Sequence, residues 1–306
     1  MTRRSWIQFL VLSALWGASY MFIKVALEDV SPAMVVFART ALATLVLLPF
    51  ALRSAALDAL RGRPGTVAIL ALVQVAAPFL LISVGEQELS SSLTGILVAT
   101  APIFSFLLAI RLEREARAEG AAMLGVAVGI AGVILLLGID AGGGSAALIG
   151  GSMVVLASLG YALGAFYLRR NLSDAQPIGV VASAMGASAL MTAPLAAATF
   201  PSQAPDLETF GSLFVLGVGG TGIAFLLFYT LIAEVGPTRS SLVAYVAPGF
   251  SVLYGVLLLD ESFTAATFAG LVLILGGSWL AAEGRLPWQP KKAVRVAARP
   301  APEAAR

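Results

Sequence analysis

Apolar residues fill this chain in ten long stretches, near 6–27, 32–52, 66–86, 92–110, 120–139, 147–168, 178–199, 210–233, 240–259 and 265–283. Each stretch, wound as a helix, spans the roughly 30 Å of a hydrocarbon layer. Polar punctuation separates them: Asp29-Val30-Ser31-Pro32, Arg61-Gly62-Arg63-Pro64-Gly65, Gly142-Gly143-Gly144-Ser145 and Gly236-Pro237-Thr238. Irregular backbone has no partner for its polar groups in lipid, so the stretches predict helices and not strands. Beyond Leu286 the pattern stops. The Pro-, Ala-, Lys- and Arg-rich segment 287–306 reads as a disordered tail.

Composition sharpens this to an all-α integral membrane protein. Hydrophobic residues make up 59% and charged residues 12%, with a mean hydropathy of +0.93. Soluble domains carry roughly 25% charged residues. This chain cannot build a polar skin, so its main partner is the lipid bilayer. With no cysteine, disulfides and thiolate sites are ruled out. With no histidine, the usual near-neutral proton relay and the commonest metal ligand are missing as well. No cofactor, no metal and no nucleic acid are expected, and a monomer is. Met1-Thr2-Arg3-Arg4 before an apolar run resembles a secretory signal. The run is too long for one and lacks a small-x-small exit, so a retained first helix is expected.

Charge sets the expected orientation. Taking alternate joints, 17 of the 19 Lys and Arg residues fall on one side and none on the other. The remaining two, Lys24 and Arg39, lie inside spans. Lys and Arg favour the cytoplasmic side, so both termini are expected there.

The pattern is also written twice. Ala101-Pro102-Ile103-Phe104-Ser105-Phe106-Leu107 returns as Ala247-Pro248-Gly249-Phe250-Ser251-Val252-Leu253, five of seven positions identical. Ser31-Pro32 answers Gln176-Pro177, Glu88 answers Glu234, and Arg114-Glu115 answers Asp260-Glu261. Gly125 and Gly132 answer Gly270 and Gly277. The division is 1–140 for one repeat and 146–284 for the other. Each holds five spans, an odd number, so the copies enter the membrane from opposite faces. Ten transmembrane helices in two inverted five-helix repeats is the geometry of alternating access to a midplane site.

Leu15-Trp16-Gly17-Ala18-Ser19-Tyr20-Met21-Phe22-Ile23-Lys24, Phe37-Ala38-Arg39, Ala101-Pro102, Glu115 and the Gly-rich fifth and tenth spans resemble the drug/metabolite transporter superfamily, in its form with two EamA domains. The resemblance covers about residues 6–283. It implies a ten-helix carrier in the bacterial inner membrane, often an exporter of amino acids or other small metabolites. It further implies that helices 5 and 10 are peripheral and the others enclose a central cavity. The second copy departs from the pattern, with Tyr161-Ala162 and Arg169 in place of Trp16-Gly17 and Lys24.

Polar groups inside spans are costly and mark candidate sites. Lys24 is placed to attract a substrate carboxylate, to pair with Glu28, or to snorkel to the interface. Arg39 lies seven residues into its span, roughly 10 Å deep at 1.5 Å per residue, and is expected to be a structural charge held by a carboxylate or carbonyls, with direct substrate contact as the alternative. Glu86, Glu88 and Glu234 read as solvated carboxylates at helix ends, with proton binding by Glu86 or Glu88, if desolvated, as the rival reading. Gln74 and Pro78, four residues apart, share one face in mid-membrane, where Pro78 frees a carbonyl. The matching part of the eighth span, Gly217-Val218-Gly219-Gly220-Thr221-Gly222, permits a close helix crossing or a broken helix. Pro102 and Pro248 are expected hinges, with plain kinks as the rival reading.

Aromatics complete the candidate site. Trp16, Tyr20, Tyr161, Phe166, Phe225 and Tyr245 lie at depth, where lipid-facing aliphatics would serve equally. With Lys24, Gln74, Pro78, Gly220 and Thr221 they form the expected substrate-binding set. Such walls suit aromatic or hydrophobic amino acids, and they suit organic cations or drugs by cation–π attraction. Phosphorylated sugars would require clustered Arg or Lys. No nucleophile–base cluster and no nucleotide-binding loop of the Walker type is found, so an enzyme or a self-sufficient primary pump is not expected. A membrane scaffold is the remaining alternative to a carrier.

Overall fold

The computed structural model describes residues 1–112, 120–140 and 144–283. All its regular elements are helical, and among the described residues no strand occurs. Ten apolar helices succeed one another: α1 Arg3–Ala26, α2 Pro32–Arg53, α3 Pro64–Gly85, α4 Ser91–Leu112, α5 Gly120–Gly138, α6 Ser145–Asn171, α7 Pro177–Ala198, α8 Leu207–Val235, α9 Val243–Leu258 and α10 Ala265–Glu283. Among the described residues nine are at least 18 residues long and apolar enough to cross a membrane, while α9 is shorter at 16 residues. Short joints make neighbours antiparallel. The end that holds Arg3 and Glu283 is called the terminal end, and the other the distal end. Arg114-Glu115, the Gly142-Gly143 half of the glycine joint and the tail 287–306 lie outside the described residues.

Helix starts obey the sequence closely. Thr2, Ser31, Ser90 and Asp206 each accept a backbone N–H of the first turn, from Ser5, Met34, Leu93 and Thr209. Pro32, Pro64 and Pro177 occupy the first helical position, where a missing N–H costs nothing.

Inside the bundle α1 lies against α9, α2 against α7 and α8, α3 against α6, and the first half of α4 against α9. A core of Leu47, Leu70, Leu172 and Met185 binds α2, α3 and α7. The outer surface is apolar: Leu45, Ile134, Leu190 and Leu207 are 68%, 66%, 77% and 87% exposed. Water would not tolerate so continuous an apolar face, and hydrocarbon covers it without cost. Helix α5 packs on α10 at the side of the bundle, backbone against backbone. A Cβ on Gly277 would sit 2.5 Å from the Gly129 nitrogen and 2.6 Å from the Gly125 carbonyl oxygen.

Three interruptions break the regularity. Residues Leu72–Ala76 of α3 and Val215–Ile223 of α8 wind as π-helix, one residue wider per turn. Such bulges gather at functional sites. In α4 the helix stops at Val98 and resumes at Ala101.

Replacing Gly277 by Val is expected to lower the melting temperature in detergent by about 5 °C, from an overpacking cost of about 1–3 kcal/mol. At the adjacent Gly276, where an added Cβ meets nothing within 4 Å, the same change is expected to shift it by no more than about 1 °C.

Candidate functional site

The centre of the bundle is organised by Arg39. It is 8% exposed, and its Nε donates to Thr221 Oγ1 at 2.8 Å. Its guanidinium carbon lies 3.9 Å from the centroid of the Phe79 ring. The wide turn of α8 makes this possible, because Thr221 Oγ1 also donates to the Leu216 carbonyl five residues back. No ion pair to Arg39 occurs among the described residues. The carboxylate expected for this charge is replaced by a hydroxyl and an aromatic face, and the terminal guanidinium nitrogens have no hydrogen bond to the described protein. Tyr20 and Tyr161, both half-buried, pack against the cluster of Ile23, Ile82, Leu213 and Leu216.

One helical turn beyond Thr221 in α8, toward the terminal end, an aromatic wall begins at Phe225. Trp16 meets Phe225 edge-on at 6.0 Å and Phe228 at 5.1 Å, and Phe228 lies 6.1 Å from Tyr229. Centroid spacings of this kind add to the burial of each ring. Phe166 is placed elsewhere, under the Arg169 guanidinium at 4.8 Å, near the terminal end of α6. Tyr245 is half-buried in the first turn of α9, also toward the terminal end.

Gln74 and Pro78 face α6. A Cβ on Gly164 would lie 2.4 Å from the Gln74 Cβ, and one on Gly160 would lie 2.8 Å from Pro78 Cγ. The glycines of α8 make the close crossing: Gly217 and Gly222 admit Leu42 and Val46 of α2, and Gly220 admits Ser19 of α1. The helix widens there without breaking.

The two prolines differ in their surroundings. Pro102 comes after the gap in α4, where lost helical bonds free several carbonyls. Ser158 of α6 donates to the Leu97 and Val98 carbonyls, and Ser278 of α10 donates to the Ala99 carbonyl at 2.6 Å. Pro248 lies buried within the continuous helix α9.

The distal end is tied across the two halves of the chain. Glu261, after α9, accepts hydrogen bonds from the Ser91 and Ser92 backbone N–H groups at the start of α4, and from Ser92 Oγ. A carboxylate on a helix N-terminus is favoured by the helix dipole. Ser251 of α9 donates to the Ser91 carbonyl at 2.9 Å, whereas its counterpart Ser105 bonds only to Ala101 in its own helix. Lys24 is neither snorkelling nor paired with Glu28: its Nζ donates to the Glu86 and Leu89 carbonyls, both at 2.8 Å. Glu88 is exposed, as expected of a solvated carboxylate. Glu86 is not solvated. It is 0% exposed, and neither carboxyl oxygen has a partner. The rim carries a further tie, Asp29, which accepts from the Asp206 backbone N–H and from Thr209 Oγ1.

Helices of this length, with Lys24 of α1 and Arg39 of α2 turned inward, make a multi-pass membrane protein. The EamA-like transporter family matches the chain twice, over residues 4–138 and 148–282. The chain belongs to the EamA-like transporter family. This EamA-like transporter is 28% identical over 290 residues to the uncharacterized inner membrane transporter YedA of Escherichia coli K12, covering 92% of each chain. It is 24% identical over 307 residues to a probable amino-acid metabolite efflux pump of the same organism, covering 97% of this chain and 99% of that one. An uncharacterized transporter of Archaeoglobus fulgidus is 24% identical over 282 residues, 92% of this chain and 100% of its own. A solved crystal structure, 19% identical, superimposes with a TM-score of 0.66 over 92% of this chain and 98% of that one.

Sequence reasoning missed three residues of this transporter's interior. Phe79 neighbours Pro78, but nothing in the pattern placed it under a guanidinium. Glu261 was marked only by its match to Glu115. Glu86 lies one residue past an apolar span, where solvation is the ordinary outcome.

Thr221→Val keeps the shape and removes the acceptor for Arg39 Nε. It is expected to cost about 1–3 kcal/mol, read as a fall in melting temperature. Thr230→Val, which loses only a bond within its own helix, is expected to leave that temperature nearly unchanged. At the rim, the Asp206 N–H and then Thr209 hold the Asp29 carboxyl below its ordinary value of 3.8. A depressed value stabilises the fold above 3.8 and is lost as pH falls through it. The melting-temperature gap between native protein and Asp29→Asn is therefore expected at neutral pH and should shrink in strong acid.

Proposed function

We propose that this EamA-like transporter is an exporter of small metabolites, foremost aromatic and hydrophobic amino acids, working by alternating access between its two repeats. The observation that carries the substrate class is the Arg39 guanidinium. It is buried beside aromatic rings, with its terminal nitrogens unengaged by the protein. A planar fork of N–H donors matches a carboxylate, and the bond is strong away from water. The wall of Trp16, Phe225, Phe228 and Tyr229 gives a matching surface for an apolar or aromatic side chain. A buried cation next to that wall argues against the organic-cation reading, since like charges repel at low dielectric. A relative bearing the name of an amino-acid metabolite efflux pump points the same way.

The mechanism grows out of the repeat. The halves of opposite orientation place matching contacts at the two ends of the bundle, with both termini in the cytoplasm of a bacterial cell and the chain in the inner membrane as a monomer. Ser251 bridges to α4 at the distal end while Ser105 bonds within its own helix. This asymmetry supports a state closed to the outside and open to the cytoplasm, the state that loads an exporter. The gap in α4 before Pro102 is the joint in this reading, since its carbonyls already rely on side chains of other helices. Pro248 is the matching joint of the other half.

In a thermal-shift test, phenylalanine or leucine at tenfold its dissociation constant is expected to stabilise the protein by about 1.4 kcal/mol, a rise of about 3–5 °C. Arg39→Met should abolish the shift. Stabilisation by tetraalkylammonium ions, undiminished in Arg39→Met, would overturn the substrate assignment.

A further inference from the structure

The interior holds one carboxyl group that the transport reading leaves without a task. Glu86 ends α3 at the distal face, fully buried, and among the described residues neither of its carboxyl oxygens meets a donor. Helix α6 packs on this corner through Gly150 and Val154, against Gly85, and brings no charge. The charged groups near enough to act on Glu86 are Lys24 on α1, Glu261 after α9 and Arg39 on α2, with Tyr20 on α1 beside them. None forms an ion pair or hydrogen bond with its carboxyl: Lys24 is engaged by the Glu86 and Leu89 carbonyls, Glu261 by the start of α4, and Arg39 by Thr221. A bare carboxylate in such a place is far too costly to persist.

We propose that Glu86 is a proton-binding site that locks the distal gate: it carries a proton while the gate is closed and releases it to water when the gate opens. The proposal rests on the carrier reading above and gives that carrier a pH-dependent gate. Protonated, Glu86 leaves the Lys24 ammonium to the two carbonyls, which pins residues 86–90 onto α1. On opening, water reaches the carboxyl, the proton leaves, and the new carboxylate competes with the carbonyls for Lys24. The turn is then free to move with α4. Each opening releases one proton to the outside water and each closing takes one back from it, so the site sets the pH dependence of the gate and moves no proton across the membrane. Acid outside therefore closes the gate, and alkali opens it.

The test exploits the absence of cysteine from the sequence. Ser91 is buried at the gate and its Oγ has no hydrogen-bond partner, so Ser91→Cys sacrifices no bond. A membrane-impermeant maleimide then reports opening at the distal end without any substrate. Rates are compared between native Glu86 and Glu86→Gln, whose uncharged amide stands in for the protonated acid, so that the pH response of the thiol itself cancels. The native-to-E86Q ratio is expected to climb with pH between about 5 and about 8, by up to about tenfold per pH unit. The melting temperature of Glu86→Gln is expected to match native protein at the acid end and exceed it at the alkaline end. A flat ratio with clear labelling in both backgrounds overturns the proton site and leaves the carrier standing. No labelling in either background at any pH overturns both, since a distal end that never opens cannot transport.

Discussion

Everything in this molecule answers to one constraint: a polar group inside lipid must find its partner inside the protein. Helices meet that demand for most of the backbone, and the exceptions are met by side chains from other helices. Ser158 and Ser278 reach the carbonyls released at the α4 gap. Glu261 takes the N–H groups at the start of α4, and Lys24 takes the carbonyls at the end of α3. Each of these bonds joins elements far apart in sequence. The same bonds that satisfy the backbone therefore also fix which helices are held together, and at which end.

Against that background, two charged groups stand out because the constraint is left unfulfilled. Arg39 keeps terminal donors that the protein does not engage, and Glu86 keeps two acceptors without a donor. In water such groups would be unremarkable. They are the two charged side chains that the described bundle buries most deeply, and in the reading proposed above something from outside completes each: a carboxylate for Arg39 and a proton for Glu86.

Much of the architecture was legible in the sequence. The ten apolar stretches became ten apolar helices with ends shifted by a few residues, because Pro32, Pro64, Pro177 and the Ser, Thr and Asp caps state where helices begin. The glycines of the eighth span allowed a close crossing, and Gly217 and Gly222 make one against Leu42 and Val46 of α2. Less was legible of the site. Depth along a helix can be counted, but facing depends on local winding, and the π turns in α3 and α8 rotate the side chains beyond them about the helix axis. Gln74 and Pro78 are turned toward the glycines of α6 in this way, and Phe79 lies under Arg39. Glu86 was misjudged as solvated because burial at a helix end is decided by the neighbouring loop and by α6, neither of which is local in sequence.

The central claim is that this chain alone moves amino acids by alternating exposure of one site built on Arg39. It is tested most directly by counterflow: purified protein in liposomes loaded with unlabelled phenylalanine, with labelled phenylalanine added outside. Transient accumulation of label above its equilibrium level, lost in Arg39→Met, is the predicted result. Label that never rises above that of protein-free liposomes across the apolar and aromatic amino acids would contradict the account.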